Sequence, residues 1–409
     1  MSYSKDNFAW LGTIPDHWQV SKLRQILSPF SEKNHPDMPL LSVVREKGVI
    51  IRNVESKEEN HNYVPDDLSN YKLVKQGQFT MNKMKAWQGS YGVSKYDGIV
   101  SPAYFVFNLK CDINRDFFNA AIRSKAYVNY FGQASDGIRV GQWDLSMARM
   151  KDIPLLVPPR EEQDQIVRFL DWKVSNINKL IRIRKRQIEE LEAIKRSSIG
   201  YLVMGQAQSI PQRDTEVNWV KTIPAHWNEK TLIQVAEEQQ IKNAGMVEDN
   251  LLSLSYGKII NKDINTTDGL LPSSFEGYQI VHDGNIILRL TDLQNDHKSL
   301  RTGLVTQTGI ITSAYTCLKV RHNILPEYLQ LQLHVADLCK VFYGMGGGVR
   351  QSIGFTEIRK LVIAIPPVEE QQYILDRVHG IEKPINCAIQ NIRDIICLLY
   401  TSPSPRDRT

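Results

Sequence analysis

Cysteine is scarce, with five in 409 residues, and the five are scattered. Cys111, Cys317, Cys339, Cys387 and Cys397 form no C-x-x-C pair and stand beside no histidine cluster. That spacing excludes a zinc site, and the odd number points to reduced thiols in a cytoplasmic setting. No run approaches the roughly 18 apolar residues of a membrane span. Residues 1–10 are polar, without the apolar centre of a secretion signal. No Walker sequence occurs, and no Gly-rich cofactor loop follows a strand pattern. The Asp/Asn-Pro-Pro-Tyr/Phe motif of amino-methyltransferases is missing, and no nuclease-like carboxylate cluster stands out. These absences leave no catalytic residue, bound cofactor or metal to expect in this chain, and an enzyme with an unfamiliar site is a minor alternative. Neither sign of charge dominates: the net charge is +5, which suits a polyanionic partner without demanding one. A hydrophobic content of 42% is enough for packed cores, and the length exceeds one ordinary core.

What the chain does have, it has twice. Trp10-Leu-Gly-Thr-Ile-Pro-Asp-His-Trp18 returns as Trp219-Val-Lys-Thr-Ile-Pro-Ala-His-Trp227. Leu40-Leu-Ser-Val43 returns as Leu251-Leu-Ser-Leu254, and Gly98-Ile-Val-Ser-Pro-Ala-Tyr104 as Gly309-Ile-Ile-Thr-Ser-Ala-Tyr315. Gly137-Ile-Arg139 returns as Gly348-Val-Arg350, and Pro158-Pro-Arg-Glu-Glu-Gln163 as Pro366-Pro-Val-Glu-Glu-Gln371. The landmarks keep their order and a nearly constant separation, which marks a tandem duplication. A function that needs two related surfaces at a fixed distance follows.

Each copy reads as an α+β unit followed by a long helix. Runs at 40–44, 78–81, 99–107, 286–290 and 314–320 are β-branched or aromatic and bounded by Gly, Asn and Asp, as strands are. Residues 115–130 and 326–342 read as helices. From Pro159 to about Val203 no Gly or Pro intervenes except Gly200. Apolar residues there fall at Ile166, Leu170, Val174, Ile177, Ile181, Ile188 and Leu191, a helix-pairing stripe. Pro159 with Glu161 and Glu162 is a helix start. The matching stripe is Ile374, Val378, Ile381, Ile385, Ala388, Ile392 and Ile395, with a weak start or kink expected near Gly380 and Pro384. The simplest packing runs the two helices antiparallel, giving approximate two-fold symmetry. Cys397 to Thr409 holds two prolines and a polar end, and reads as a foreign tail where the helix is expected to continue.

Three motif pairs invite a functional reading. His17 and His226 have no acid or nucleophile at a repeated spacing, so Ile-Pro-x-His-Trp reads as a structural docking element. Arg139, followed by Gln142, and Arg350, followed by Gln351, each sit among glycines. Glycine permits close backbone approach, and Arg suits a phosphate or a guanine edge; an ordinary Arg on a turn is the bland alternative. Lys83, Lys85, Trp87, Gln88 and Tyr91 occupy one place in the first copy, and Arg289, Thr291, Asp292, Asn295 and Lys298 the equivalent place in the second. Both sets are rich in groups that read base edges, and they differ while their surroundings match. Two recognition loops with different targets fit that pattern; two unrelated surface loops remain the alternative. Gly346–Gly348 lack a following Lys-Ser/Thr, so a phosphate-binding P-loop is rejected.

Taken together, the repeated Ile-Pro-x-His-Trp, Gly-Ile/Val-Arg and Pro-Pro-x-Glu-Glu-Gln elements resemble the specificity subunit of Type I restriction–modification systems, over residues 8–396. The resemblance implies target recognition domains at 1–158 and 209–366, and spacer helices at 159–208 and 367–396, followed by the tail at 397–409. It implies that each domain reads one half-site of a bipartite double-stranded DNA sequence, while the helices set the gap and dock methyltransferase subunits, two by expectation. S-adenosylmethionine would sit on that partner, which methylates adenine N6, and motor-nuclease subunits would join for restriction. A methylation-only or inactive cassette is the alternative within the same family.

Overall fold

The computed structural model describes residues 14–52, 65, 67–110, 112–137, 143–206, 210–264, 272, 274–293, 300–321, 323–345 and 353–401. In the first half, Leu27–Phe30 (β1), Phe79–Asn82 (β2), Tyr91–Val93 (β3) and Tyr104–Leu109 (β4) form an antiparallel sheet in the order β1-β4-β2-β3. In the second, Ala236–Gln239 (β5), Ile286–Leu288 (β6), Thr302–Leu304 (β7) and Thr316–Val320 (β8) repeat that order as β5-β8-β6-β7. A two-stranded pair accompanies each sheet: Gln19–Lys22 with Pro154–Val157, and Asn228–Thr231 with Val362–Ile365. Even the isolated parallel bridges match, Leu40 with Ile99 and Leu251 with Ile310. The duplication seen in the motifs is thus a duplication of topology.

The cores follow from aromatic and β-branched residues on the inner faces. Phe79, Phe107 and Phe118 are fully buried together, with the Phe79 and Phe118 rings edge-on at 5.3 Å. Leu288, Leu318, Tyr328 and Leu329 fill the second core.

The repeated glycines Gly98 and Gly309 have a packing reason. A Cβ at either would lie 2.7 Å from the side chain of Leu41 or Leu252, and closer still to the carbonyl of Pro39 or Asn250. Gly98→Ala and Gly309→Ala are each expected to destabilise their unit by about 1–3 kcal/mol through overpacking. Urea unfolding of the variants checks this; an unchanged midpoint would show that the contact relaxes freely.

Two predicted elements are divided. Residues 99–107 form Gly98–Val100 and β4, separated by a turn in which Tyr104 N–H donates to the Ser101 carbonyl at 2.9 Å. Pro102 has no N–H to continue a ladder. Residues 115–130 form Arg115–Ile122 (α1) and Lys125–Gln133 (α2). The break falls at Arg123, whose guanidinium donates to the carbonyls of Tyr91, Arg45 and Glu46.

The long helix is Arg160–Val203 (α3), 44 residues, or about 66 Å at 1.5 Å per residue. Its first-turn acids are Glu161 and Glu162, placed to favour the positive end of the helix dipole. It ends at Gly205, which has φ +67°. Gln206 N–H returns to the Tyr201 carbonyl and Gly205 N–H to that of Leu202, the paired bonds of a left-handed helix stop. The chain divides into compact units, residues 1–179 and 180–409, with the boundary inside α3. Ile166 and Val167 pack on the first core, whereas Ile199, Leu202 and Val203 belong to the second.

In the second unit, Pro326–Leu338 (α4) and Val368–Thr401 (α5) complete the helices. α5 is continuous through Gly380 and Pro384 and extends past Ile396 to Thr401. Pro384 is exposed, on the face away from the buried stripe. α5 pairs antiparallel with the later part of α3: Lys195 Nζ donates to Asn386 Oδ1 at 3.0 Å, and Ile199 shares a core with Leu375 and Val378. Ile374, Val378, Ile381, Ile385, Ala388 and Ile392 turn inward as their spacing requires. Ile395 does not; it is 39% exposed, and Ile396 takes the inward step. No described helix is long and apolar enough to cross a membrane.

Candidate nucleic-acid interface

The first candidate loop joins β2 to β3. Lys85 N–H bonds the Asn82 carbonyl, Ala86–Gln88 make a single 3-10 turn, and left-handed Gly89 returns the chain to the sheet. Lys85 is exposed; Lys83 is half-buried and pairs with Asp144 at 3.0 Å. Gln88 is half-buried, as is Trp87, whose ring lies 5.2 Å from that of Trp143. Tyr91 is different and corrects the sequence expectation. It is fully buried, with its ring 4.4 Å from that of Phe131, and burial pushes its hydroxyl pKa up. Tyr91 is a core residue, because it opens β3 on the inward face.

The second loop joins β6 to β7. Arg289 and Thr291 are half-buried and Asp292 is exposed, with φ 57°. Leu290 and Leu293 face inward and anchor the start of the loop. Arg139, Gln142, Asn295, Lys298, Arg350 and Gln351 lie outside the described residues.

The flanks of the Gly-x-Arg segments are described, and each meets its hairpin. Ser135–Asp136 pairs with Asp144–Leu145, so the segment carrying Arg139 leaves and returns on one short ladder. From that ladder Leu145 N–H donates to the Lys83 carbonyl at 3.1 Å. In the second unit Ile353 N–H donates to the Leu290 carbonyl at 3.0 Å. Two segments distant in sequence therefore converge at the same topological place in both units.

Sequence reasoning missed a basic and aromatic group beside the first hairpin. Lys72 Nζ donates to the Tyr104 carbonyl at 2.7 Å and lies 5.9 Å from the Phe105 ring. Burial holds the Lys72 pKa below its ordinary value, and the charges of Lys33 and Lys83 add to that. Burial raises the pKa of the Tyr104 hydroxyl, opposed by a bond with Asn82 and the charge of Arg52. Clustered cations beside aromatic rings attract a phosphate backbone and offer stacking surfaces. The signal was hidden because Lys72 and Tyr104 lie on strands, where alternation disguises them as ordinary sheet residues.

The repetition of Ile-Pro-x-His-Trp has a structural cause, and it corrects the expectation that no acid stands at a repeated spacing from His17 and His226, since each meets a glutamate. His17 Nε2 lies 2.7 Å from Glu162 Oε2, and Trp18 Nε1–H donates to Glu162 Oε1 at 3.0 Å. The hydrogen bond with His17 is the largest influence holding the Glu162 carboxyl below its ordinary pKa. His226 meets Glu370 at 2.8 Å in the same way. Gln163 donates to the Pro158 carbonyl and accepts from Asn114 N–H; Gln371 does so with Pro366 and Leu325. These residues fasten each long helix to its unit. Among the described residues no group of three His, Cys, Asp or Glu is arranged to hold a metal.

A second surface lies on α3. Residues 181, 188, 195, 199 and 202 are covered or half-covered, but every residue from 168 to 180 is exposed. Phe169 and Trp172 are 56% and 57% exposed, their rings 6.2 Å apart, with Lys173 Nζ over both.

The sequence model of the Type I restriction modification DNA specificity domain matches residues 15–193 and 301–394. A Methanocaldococcus jannaschii protein named as the type I restriction enzyme MjaX specificity subunit is 21% identical over 408 residues, covering 93% of this chain and 91% of that protein. A chain from a solved structure on complex assembly and conformational transition of the type I R-M system aligns with TM-score 0.62 and 14% identity, covering 95% of this chain and 96% of that one. The HsdS subunit from Thermoanaerobacter tengcongensis aligns with TM-score 0.50 and 14% identity, covering 95% and 94% respectively. At those identities the two structures speak to the fold alone.

Proposed function

Because the chain belongs to the Type I restriction–modification DNA specificity family, we propose that each unit reads one half of a bipartite DNA target, while the long helices set the gap and dock methyltransferase subunits. The chain is a DNA-recognition subunit and not itself an enzyme. The observation that supports the two-reader assignment is that a residue flanking the Gly-x-Arg segment, Leu145 or Ile353, bonds the matching hairpin in both units. Divergent side chains on a repeated frame suit two different half-sites.

In this reading Lys83, Lys85, Trp87, Gln88, Arg139 and Gln142 serve the first half-site. Arg289, Thr291, Asp292, Asn295, Lys298, Arg350 and Gln351 serve the second. Lys33 and Lys72 hold phosphate beside the first, which fixes position and carries no sequence information. The partner supplies S-adenosylmethionine and the chemistry on adenine, which requires the base to leave the stack. The exposed Phe169–Trp172 surface is the docking site for a methyltransferase subunit, and two such subunits fit two repeated helix starts. Motor-nuclease subunits join through that assembly.

Arg139→Ala and Arg350→Ala are each expected to weaken DNA binding by about 1–3 kcal/mol and to relax a single half-site. Titration of the variants against duplexes altered in one half-site tests this. Wild-type affinity and selectivity in both variants would reduce the two segments to structural turns.

A further inference from the structure

Arg301 is the largest fully buried cation among the described residues, and it stands just before β7, at 0% exposure. Its backbone N–H donates to Asp337 Oδ2 at 2.8 Å, on α4. Its Nε donates to the Tyr343 hydroxyl at 3.0 Å, and the guanidinium carbon lies 5.2 Å from that ring. Nη1 donates to the carbonyls of Arg289 at 3.1 Å and Thr291 at 2.8 Å; Nη2 donates to that of Asp292 at 3.3 Å. The Arg301 carbonyl in turn accepts from Arg289 N–H at 2.8 Å.

A guanidinium is costly to bury unless its donors are met, and a fold does not need one to close a hairpin. The equivalent loop of the first unit is closed by backbone bonds, by Met84 N–H donating to Asn82 Oδ1 and by left-handed Gly89, with the Arg123 guanidinium reaching, in that hairpin, only the Tyr91 carbonyl where β3 begins. In the second unit the three carbonyls held are those of Arg289, Thr291 and Asp292, the described members of the second reading set. Asp292 is held at φ 57°, a conformation a non-glycine residue adopts at some cost. A rigid five-donor fork can fix three carbonyls at once, which an ammonium on a flexible stem cannot.

We propose that Arg301 is the positioning residue of the second reading loop, setting the base selectivity of one half-site without touching DNA. This rests on the reading of the β6–β7 loop as a DNA-reading element.

The test is methylation mapping of wild type, Arg301→Lys and Tyr343→Phe, each co-expressed with the methyltransferase partner in a methylation-free host. In Arg301→Lys, selectivity at one half-site is expected to fall about tenfold, with the other half-site and the gap retained. Lysine keeps the charge, so its failure to rescue distinguishes the fork from a simple cation. Tyr343→Phe is expected to blur the same half-site to a smaller degree. An unchanged motif in Arg301→Lys, or equal loss at both half-sites, would overturn the assignment. Should Arg301→Lys not accumulate as folded protein, an unchanged motif in Tyr343→Phe overturns it equally. A wild type that yields no two-part motif would instead overturn the two-reader function itself.

Discussion

A Phe169→Ser, Trp172→Ser double variant is expected to keep its fold and its DNA contacts but to lose the methyltransferase subunit. Both rings stand more than half exposed on a stretch of α3 in which every residue from 168 to 180 is uncovered. Surface substitutions away from packed features change stability by roughly 0.5 kcal/mol or less. Aromatic anchors at a protein interface, by contrast, cost about 2–4 kcal/mol each when truncated. Even with strong non-additivity, association should weaken by about a hundredfold or more. Co-purification and sedimentation of the mixed subunits measure this directly. Unchanged association would move the docking site away from this face.

Removing residues 174–180 from α3 is expected to shorten the gap between the half-sites by about three base pairs and to leave both half-sites as they were. A heptad of helix is about 10.5 Å long, against ~3.4 Å per base pair. It also advances within about 20° of two full turns, so the face presented by the later part of the helix is nearly kept. The deletion falls in the uncovered stretch, so the pairing of Lys195 with Asn386 and the Ile199 core are not cut. Methylation mapping of the deleted protein reads the gap. Altered half-sites with an unchanged gap would remove the helix from the role of ruler.

The first long helix was legible because a break-free run with a three-and-four apolar spacing has few other solutions, whereas Gly380 and Pro384 suggested an interruption that α5 does not have. Pro159 and the two glutamates placed the start of α3 within one residue. Ile-Pro-x-His-Trp was legible as a docking element, but its acid was not: Glu162 and Glu370 stand at a repeated yet distant spacing from His17 and His226, which only the fold brings together. Tyr91 was not legible as core, because a tyrosine at the edge of a polar loop looks the same whether it points in or out. Ile395 and Ile396 were not separable, since adjacent isoleucines fit either step of the stripe. Nor was the end of cover on α3: the apolar spacing runs unbroken from Ile166 to Ile181, across the exposed stretch, while burial depends on what lies opposite. Arg301 was hidden for a different reason. Its partners come from three places, the β6 side of the loop, Asp337 and Tyr343, and no local pattern announces such a meeting.

The measurement that bears most directly on bipartite recognition is long-read mapping of N6-methyladenine after co-expression of this chain with its methyltransferase partner in a methylation-free host. The expected result is one two-part motif, with two defined half-sites and a constant unread gap. Methylation at a single contiguous motif, or none above the host background, would contradict two readers held on one helical spacer.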